Sequence, residues 1–442
     1  MNKRNALEAL VLILGGHAGS MAASIRYGFL AVSFEKREIP GKVFGFIEGT
    51  IFFGYLAGFL LGKYSQKFTE WISPKWMVVS SVIVLAMTCA MSGLADYVSD
   101  NTPFVIISIA SRVLFGFVEF PKNVATLDIL KSRYPDKFDF VNGVMQMGFY
   151  SGHGAGEYIG VLLYTKFGYK VPFLYTFSLM VLVLLLSIVI LSPIPSISIS
   201  DPNDETYEAE FSEEEKMLIT KTSSGLTPYI WIPMVACMLI NCIYAYLQIS
   251  CTPYLLQTFK IPLSVGGTVL MLLSIGIAIG SLLSGALTQR KLCNAYTQMA
   301  IGASAVGLGL LLLFPSPSVP FLYNNVPYLA YPAVLLCGIG DPIITVPTLR
   351  AITDLQIMIK GKCTGKNSIN LFSVWMMASW GAMYSGTIVA GMMMEYLSFL
   401  HGSYVLVASC CASVLICVVV NLVTERRKGK EEKLKESGLR YM

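Results

Sequence analysis

Long apolar runs alternate with short polar breaks from one end of the chain to the other. Each run is about 20 residues or more, the length of helix that crosses a bilayer core. Twelve can be marked, near 6–34, 42–62, 76–95, 103–130, 141–166, 172–192, 228–258, 264–288, 296–314, 328–357, 368–396 and 403–423. The first follows "MNKRN"; it is longer than a signal-peptide core, lacks a small-residue cleavage site, and reads as an uncleaved span. The widest break is 194–227, where "DPNDETYEAEFSEEEK" sets eight acidic residues against one lysine and must be solvated. Ser212 followed by Glu213, Glu214 and Glu215 is a helix N-cap with a negative first turn. The pattern predicts a six-helix bundle at 1–193, an acidic linker at 194–227, a second bundle at 228–424 and a basic tail at 425–442.

Composition narrows the class. With 55% hydrophobic and 13% charged residues in 442, no soluble core could hide the apolar surface, so the fold class is an all-α polytopic membrane protein. The ten cysteines fall in or near apolar spans and read as small packing residues rather than a disulfide framework. Lys and Arg concentrate on the side shared by both termini, opposed by Lys36, Arg37, Lys42, Lys166, Lys170 and Lys260. That bias predicts cytoplasmic termini.

The two halves repeat each other. An offset of 222 places "ATLDIL" (125–130) on "PTLRAI" (347–352), Gly116 on Gly338 and Glu119 on Asp341. An offset of 223 places "GKYSQK" (62–67) on "GALTQR" (285–290). An offset of 230 places Gly148, Gly152, Gly156 and Gly160 on Ala378, Ala382, Gly386 and Ala390, a stripe of small residues that lets helix backbones approach closely. Matches in one order at nearly one offset indicate duplication.

On these residues the chain resembles the major facilitator superfamily over nearly its whole length. The family's loop after span 2 reads Gly-x-x-x-Asp-(Arg/Lys)-x-Gly; here Gly62, Gln66 and Lys67 stand there, and Gly285, Gln289 and Arg290 form the second copy, with glutamine in place of the acid. These six are the expected gating-loop residues. Arg112 with Gly116 resembles the family's span-4 motif, an intramembrane arginine linked with proton coupling. Span 5 resembles the Gly-rich antiporter motif, with Gly156-Glu157 where Gly-Pro is usual. "FGYKVPF" (167–173) is most similar to the vesicular amine and polyamine transporter branch. The resemblance implies two pseudo-symmetric six-helix bundles, with spans 1, 4, 7 and 10 lining a central cavity.

Buried charge locates the candidate chemistry. On a helix of about 100° per residue, Arg112, Glu119, Asn123, Thr126 and Ser108 fall within about 40° of one line, with Lys122 on its shoulder. Each ionised group would cost about 2.5–3.5 kcal/mol at mid-bilayer, so the stripe must face a polar cavity or pair with other spans. Arg26, Glu48, Glu157 and Asp341 are the other in-span charges, and Asn241, Tyr244 and Gln248 share one face of span 7. The expected substrate-binding set is Arg26, Arg112, Glu119, Asn123, Asn241, Tyr244, Gln248 and Asp341. The expected proton-coupling set is Glu119, Glu157, His153, Asp341 and Glu48, with Arg112 holding Glu119 ionised. Lys122 is an alternative local partner for Glu119, Arg26 and Glu48 can satisfy each other, and Trp375, Trp380 and Tyr384 read as packing.

The functional expectation is a secondary transporter, not an enzyme, that moves a small organic solute by proton-coupled alternating access. The in-span acids point to a cation or amine. Two alternatives stand beside it: an organic-anion carrier using Arg26 and Arg112, and a non-transporting sensor or scaffold. No His-Glu-x-x-His or Gly-x-Ser-x-Gly is present, and no metal, cofactor or nucleic acid is implied. The expected partners are the solute, protons and the bilayer, for a monomer in a vesicular, endomembrane or plasma membrane.

Overall fold

The computed structural model describes residues 3–64, 72–134, 138–192, 230–289, 293–360, 365–397 and 399–436. Among the described residues there is no strand; everything that crosses the molecule is helix. The first half contains α1 (Lys3–Ser24), α2 (Leu30–Lys36), α3 (Gly41–Gly49), α4 (Ile51–Tyr64), α5 (Pro74–Leu94), α6 (Asn101–Arg133), α7 (Phe138–Phe167) and α8 (Lys170–Ile190). The second contains α9 (Trp231–Phe259), α10 (Leu263–Gln289), α11 (Ala295–Leu313), α12 (Pro320–Asn324), α13 (Val326–Lys360), α14 (Gly365–Tyr396) and α15 (Phe399–Glu436). The acidic linker lies outside the described residues. The basic tail continues α15 as helix to Glu436.

Two expected spans are broken. Residues between Ser24 and Leu30 form turns, so the first span is α1 followed by α2. The second is interrupted only at Thr50, between α3 and α4, whose backbone stays right-handed helical and whose hydroxyl donates to the Ile47 carbonyl at 2.6 Å. Ten helices among the described residues are long and apolar enough to cross a membrane, against the twelve runs read from the sequence. The two that fall short, α7 and α14, are among the longest. Their glycines and polar residues, "SGHGAGE" in α7 and "ASWGAMYSGT" in α14, dilute the hydropathy because both helices face protein on several sides.

Packing repeats as the sequence does. Gly116 of α6 lies on the backbone of Ile51 and Tyr55 in α4, and Gly338 of α13 lies on the backbone of Leu273 and Ile277 in α10. In return Gly54 lies on Val113 and Phe117, and Gly276 on Leu335 and Ile339. Every one of these pairs is related by 222. A side chain at any of the four glycines would collide with backbone, so the small residue is what sets the crossing distance. The Gly148–Gly160 stripe of α7 lies along α1, against Ile13, His17, Met21 and Ile25 in turn. In the other half Gly386 of α14 lies on Cys242 of α9.

Among the described residues the bundles pack most closely along two seams. One joins α3 and α4 to α14, where Gly45 lies on Gly391; the other joins α7 to α10, where Gly267 lies on Val161. Gly45 and Gly267 are again 222 apart. Both contacts sit in the half of the molecule remote from the N-terminal residues of α1, and Lys42 and Glu395 add an ion pair there at 3.6 Å.

Candidate functional site

Arg112 is wholly buried on α6, and its partner is Glu48, not Glu119. Glu48 lies near the end of α3 and is wholly buried. One Arg112 nitrogen, Nη2, donates to Glu48 Oε2 and to the Ala23 carbonyl at 2.9 Å. Arg26, in the turn after α1, approaches the other Glu48 oxygen at 3.7 Å and donates to the Ser92 hydroxyl at 2.9 Å. Glu48 therefore serves two guanidiniums, and the expected Arg112–Glu119 pair is corrected to a triad across three spans. Arg112 Nε and Nη1, Arg26 Nε and the Tyr27 hydroxyl have no protein hydrogen-bond partner.

Glu119 stays within its own helix. Both its oxygens accept from Lys122 Nζ, at 2.8 and 2.7 Å, and Asn123 Nδ2 donates to Oε1 at 3.4 Å. Gly19 of α1 leaves the room that the Lys122 ammonium occupies.

The third cluster crosses between bundles. His153 and Glu157 sit one turn apart on α7; Gln248 and Tyr244 sit one turn apart on α9. Gln248 Nε2 donates to Glu157 Oε1 at 3.0 Å and to the Tyr244 hydroxyl at 2.9 Å, and it contacts His153 Nε2. Ser274 of α10 donates to Glu157 Oε2 at 3.3 Å. Gln248, expected as a substrate ligand, is thus engaged with the proton-coupling candidates. Asn241 is turned back on its own helix and donates to the Cys237 carbonyl at 2.9 Å.

Asp341 stands three residues after Gly338, as Glu119 stands three after Gly116, so the repeated crossing puts the two carboxyls at equivalent positions. Asp341 is buried and its Oδ1 has no protein partner. Pro342 follows it and lacks the N–H that would bond the Gly338 carbonyl, which loosens α13 beside the carboxyl.

Aromatic side chains link these clusters. Tyr27, His153, Phe149, Trp380, Tyr384 and Tyr55 form a chain of neighbouring rings with centroids 4.8–6.3 Å apart, drawn from both bundles. Trp380 and Tyr384 therefore belong to the central assembly, while Trp375 lies in a separate small apolar cluster. Gln66, Lys67 and Arg290 lie outside the described residues; Gly62, Gly285 and Gln289 belong to the last turns of α4 and α10. Sequence reasoning missed Ser274, Tyr27 and Tyr55. It also missed Glu8, buried on α1, which accepts from Arg133 Nε at 2.8 Å and from the Ser192 hydroxyl at 2.5 Å. Arg4, one turn before Glu8, was the available signal.

Charged groups paired at the centre of two duplicated helix bundles are the layout of a membrane carrier. The family model of the Major Facilitator Superfamily matches residues 49–356. The chain belongs to that superfamily. A relative, the MFS-type transporter SLC18B1 of Rattus norvegicus, is 22% identical over 408 residues, covering 90% of this chain and 83% of its own length. This agrees with the branch that Phe167–Phe173 resembles. Among solved structures, a mutant of the nucleoside transporter NupG is 13% identical with a TM-score of 0.69, covering 93% of this chain and 99% of its own. A D-xylose–proton symporter, also 13% identical, has a TM-score of 0.67 and covers 93% and 95%. The superfamily member described here is a multi-pass transporter, and its cargo is a small solute.

Proposed function

We propose that the chain moves a small organic cation or amine by proton-coupled alternating access, with both termini cytoplasmic and the 194–227 segment linking the bundles on that side. The observation that carries the reading is the set of hydrogen bonds from Gln248 and Ser274 of one bundle to Glu157 of the other. A titratable carboxyl at a moving interface lets a proton decide whether the bundles part. Because Glu119 keeps its pair inside one helix and Arg112 serves Glu48, coupling is placed on Glu157 and Asp341. The D-xylose–proton symporter of like fold lends the proton its precedent.

For the solute, Asp341 with its unpartnered oxygen offers a charge partner, and the ring chain from Tyr27 to Tyr55 offers π faces to an ammonium. The segments 62–67 and 285–290 are proposed to gate the cytoplasmic side. A second reading, an organic-anion carrier, is favoured by the two unpartnered Arg112 nitrogens, which could hold a carboxylate. Proteoliposomes under an imposed pH gradient test the proposal: labelled amines should accumulate and carboxylates should not compete. Competition by carboxylates alone would favour the second reading, and the absence of any uptake would favour the sensor or scaffold.

A further inference from the structure

Gln248 sits where one bundle reaches into the other, and its hydrogen-bond arithmetic does not close. The amide nitrogen faces three polar atoms: His153 Nε2, whose role follows the ring's tautomer, Glu157 Oε1 at 3.0 Å and the Tyr244 hydroxyl at 2.9 Å. A primary amide has two hydrogens, so one of the three goes unserved. The Gln248 carbonyl oxygen, meanwhile, has no protein partner. The arrangement suits a Glu157 that is ionised or protonated on Oε2, and not one protonated on Oε1.

With Glu157 ionised, the nitrogen-inward amide donates to Oε1 while Ser274 donates to Oε2, and both carboxylate oxygens are served. Once Oε1 carries a proton, its O–H needs an acceptor, which the amide nitrogen cannot be. A half-turn of the amide brings the carbonyl oxygen into the same place. It then accepts from both the Glu157 O–H and the Tyr244 O–H. Other groups face Glu157 too: His153 from α7, Tyr244 and Cys251 from α9, and Tyr27 from the turn after α1, with Arg112 behind it. From α10 comes the Ser274 hydroxyl. Among these groups Gln248 is the one whose half-turn exchanges a two-hydrogen donor for a pure acceptor without gaining or losing a proton.

We propose that Gln248 is the positioning residue that reads the proton on Glu157, turning its amide to hold the protonated carboxyl while the Ser274 tie to α10, now made to a neutral carbonyl oxygen, weakens. This rests on the proton-coupled reading of Glu157 given above. The consequence is directional. An ionised Glu157 fastens α7 to both α9 and α10, closing the seam where Gly154 meets Ser274 and Gly267 meets Val161. A protonated Glu157 keeps α9 and holds α10 more weakly.

Infrared pH titration of the full chain in reconstituted membranes tests this without any substrate. Glu157→Gln should remove one protonated-carboxyl C=O band, and Gln248→Met should move that same band. Spin labels at the exposed ends of α7 and α10, placed by K166C and S264C, should report a pH-dependent separation. Gln248→Met should reduce that response about tenfold, the scale of one hydrogen bond to a charged group. Gln248→Asn, an amide one methylene shorter, serves if the methionine variant does not fold. A band lost in Glu157→Gln but unmoved in the Gln248 variants overturns the Gln248 role and leaves Glu157 as a proton carrier. No band lost in Glu157→Gln overturns the proton-coupled reading of Glu157 and the Gln248 role with it.

Discussion

Glu157 and Gln248 are hydrogen-bonded at 3.0 Å although they belong to different bundles. In the proposed cycle, rocking of one bundle against the other stretches this contact, together with the Ser274 bond beside it. The coupling chemistry proposed for Glu157 is therefore sited on a joint rather than inside a rigid half.

Glu48 is the acid whose loss should cost most stability. It lies between Arg26 and Arg112, all three buried. Glu48→Gln leaves two uncompensated guanidiniums, an effect of about 3–5 kcal/mol when a buried pair loses one member. Arg26→Gln leaves the Arg112–Glu48 pair neutral and should cost much less. Thermal unfolding in detergent should rank Glu48→Gln well below Arg26→Gln; equal melting temperatures would remove the triad.

The repeated crossing predicts matched penalties. Gly116→Ala and Gly338→Ala each drive a side-chain carbon into backbone, at Ile51 and Leu273 respectively, and should each lose about 1–3 kcal/mol. Gly285→Ala meets nothing within 4 Å and should be neutral or gain up to about 1 kcal/mol from helix propensity. Folded yield after heating gives the comparison.

The α7 stripe should be equally intolerant. Gly152 lies on the His17 carbonyl and Gly156 on Met21 and Ser24. Leucine at either should abolish transport or folding by overpacking. Wild-type behaviour from both variants would mean that these glycines do not hold α7 against α1.

These glycine contacts were the most legible part of the molecule. A repeat at 222 is visible as Gly116 over Gly338, and the structure realises it contact by contact. The buried charges were legible as a set, but their partners were not. A helical wheel compares residues of one helix, so it put Arg112 beside Glu119; the packing of α3 against α6, which a single-helix pattern does not show, delivered Glu48 instead. Gln248 read as a free polar face because its partners lie on α7, about 90 residues away in the chain. The aromatic chain was dispersed over four spans and carried no linear signal.

Asp341 should decide the cargo's sign. Asp341→Asn removes the acid of the second bundle while leaving its size, so amine uptake should fall at least about tenfold with little change in melting temperature. Unchanged uptake would detach Asp341 from the solute and favour Arg112 and the anion reading.

The most direct measurement of the central claim is accumulation by Glu157→Gln in proteoliposomes, using a labelled amine or polyamine. The substitution keeps the shape of the side chain and removes its titration. Accumulation driven by a pH gradient should collapse, while solute exchange without a gradient persists, because exchange needs no net proton movement. If Glu157→Gln concentrates the solute as the wild type does, and Glu119→Gln does not, the proton travels on Glu119 and the bundle joint is only structural.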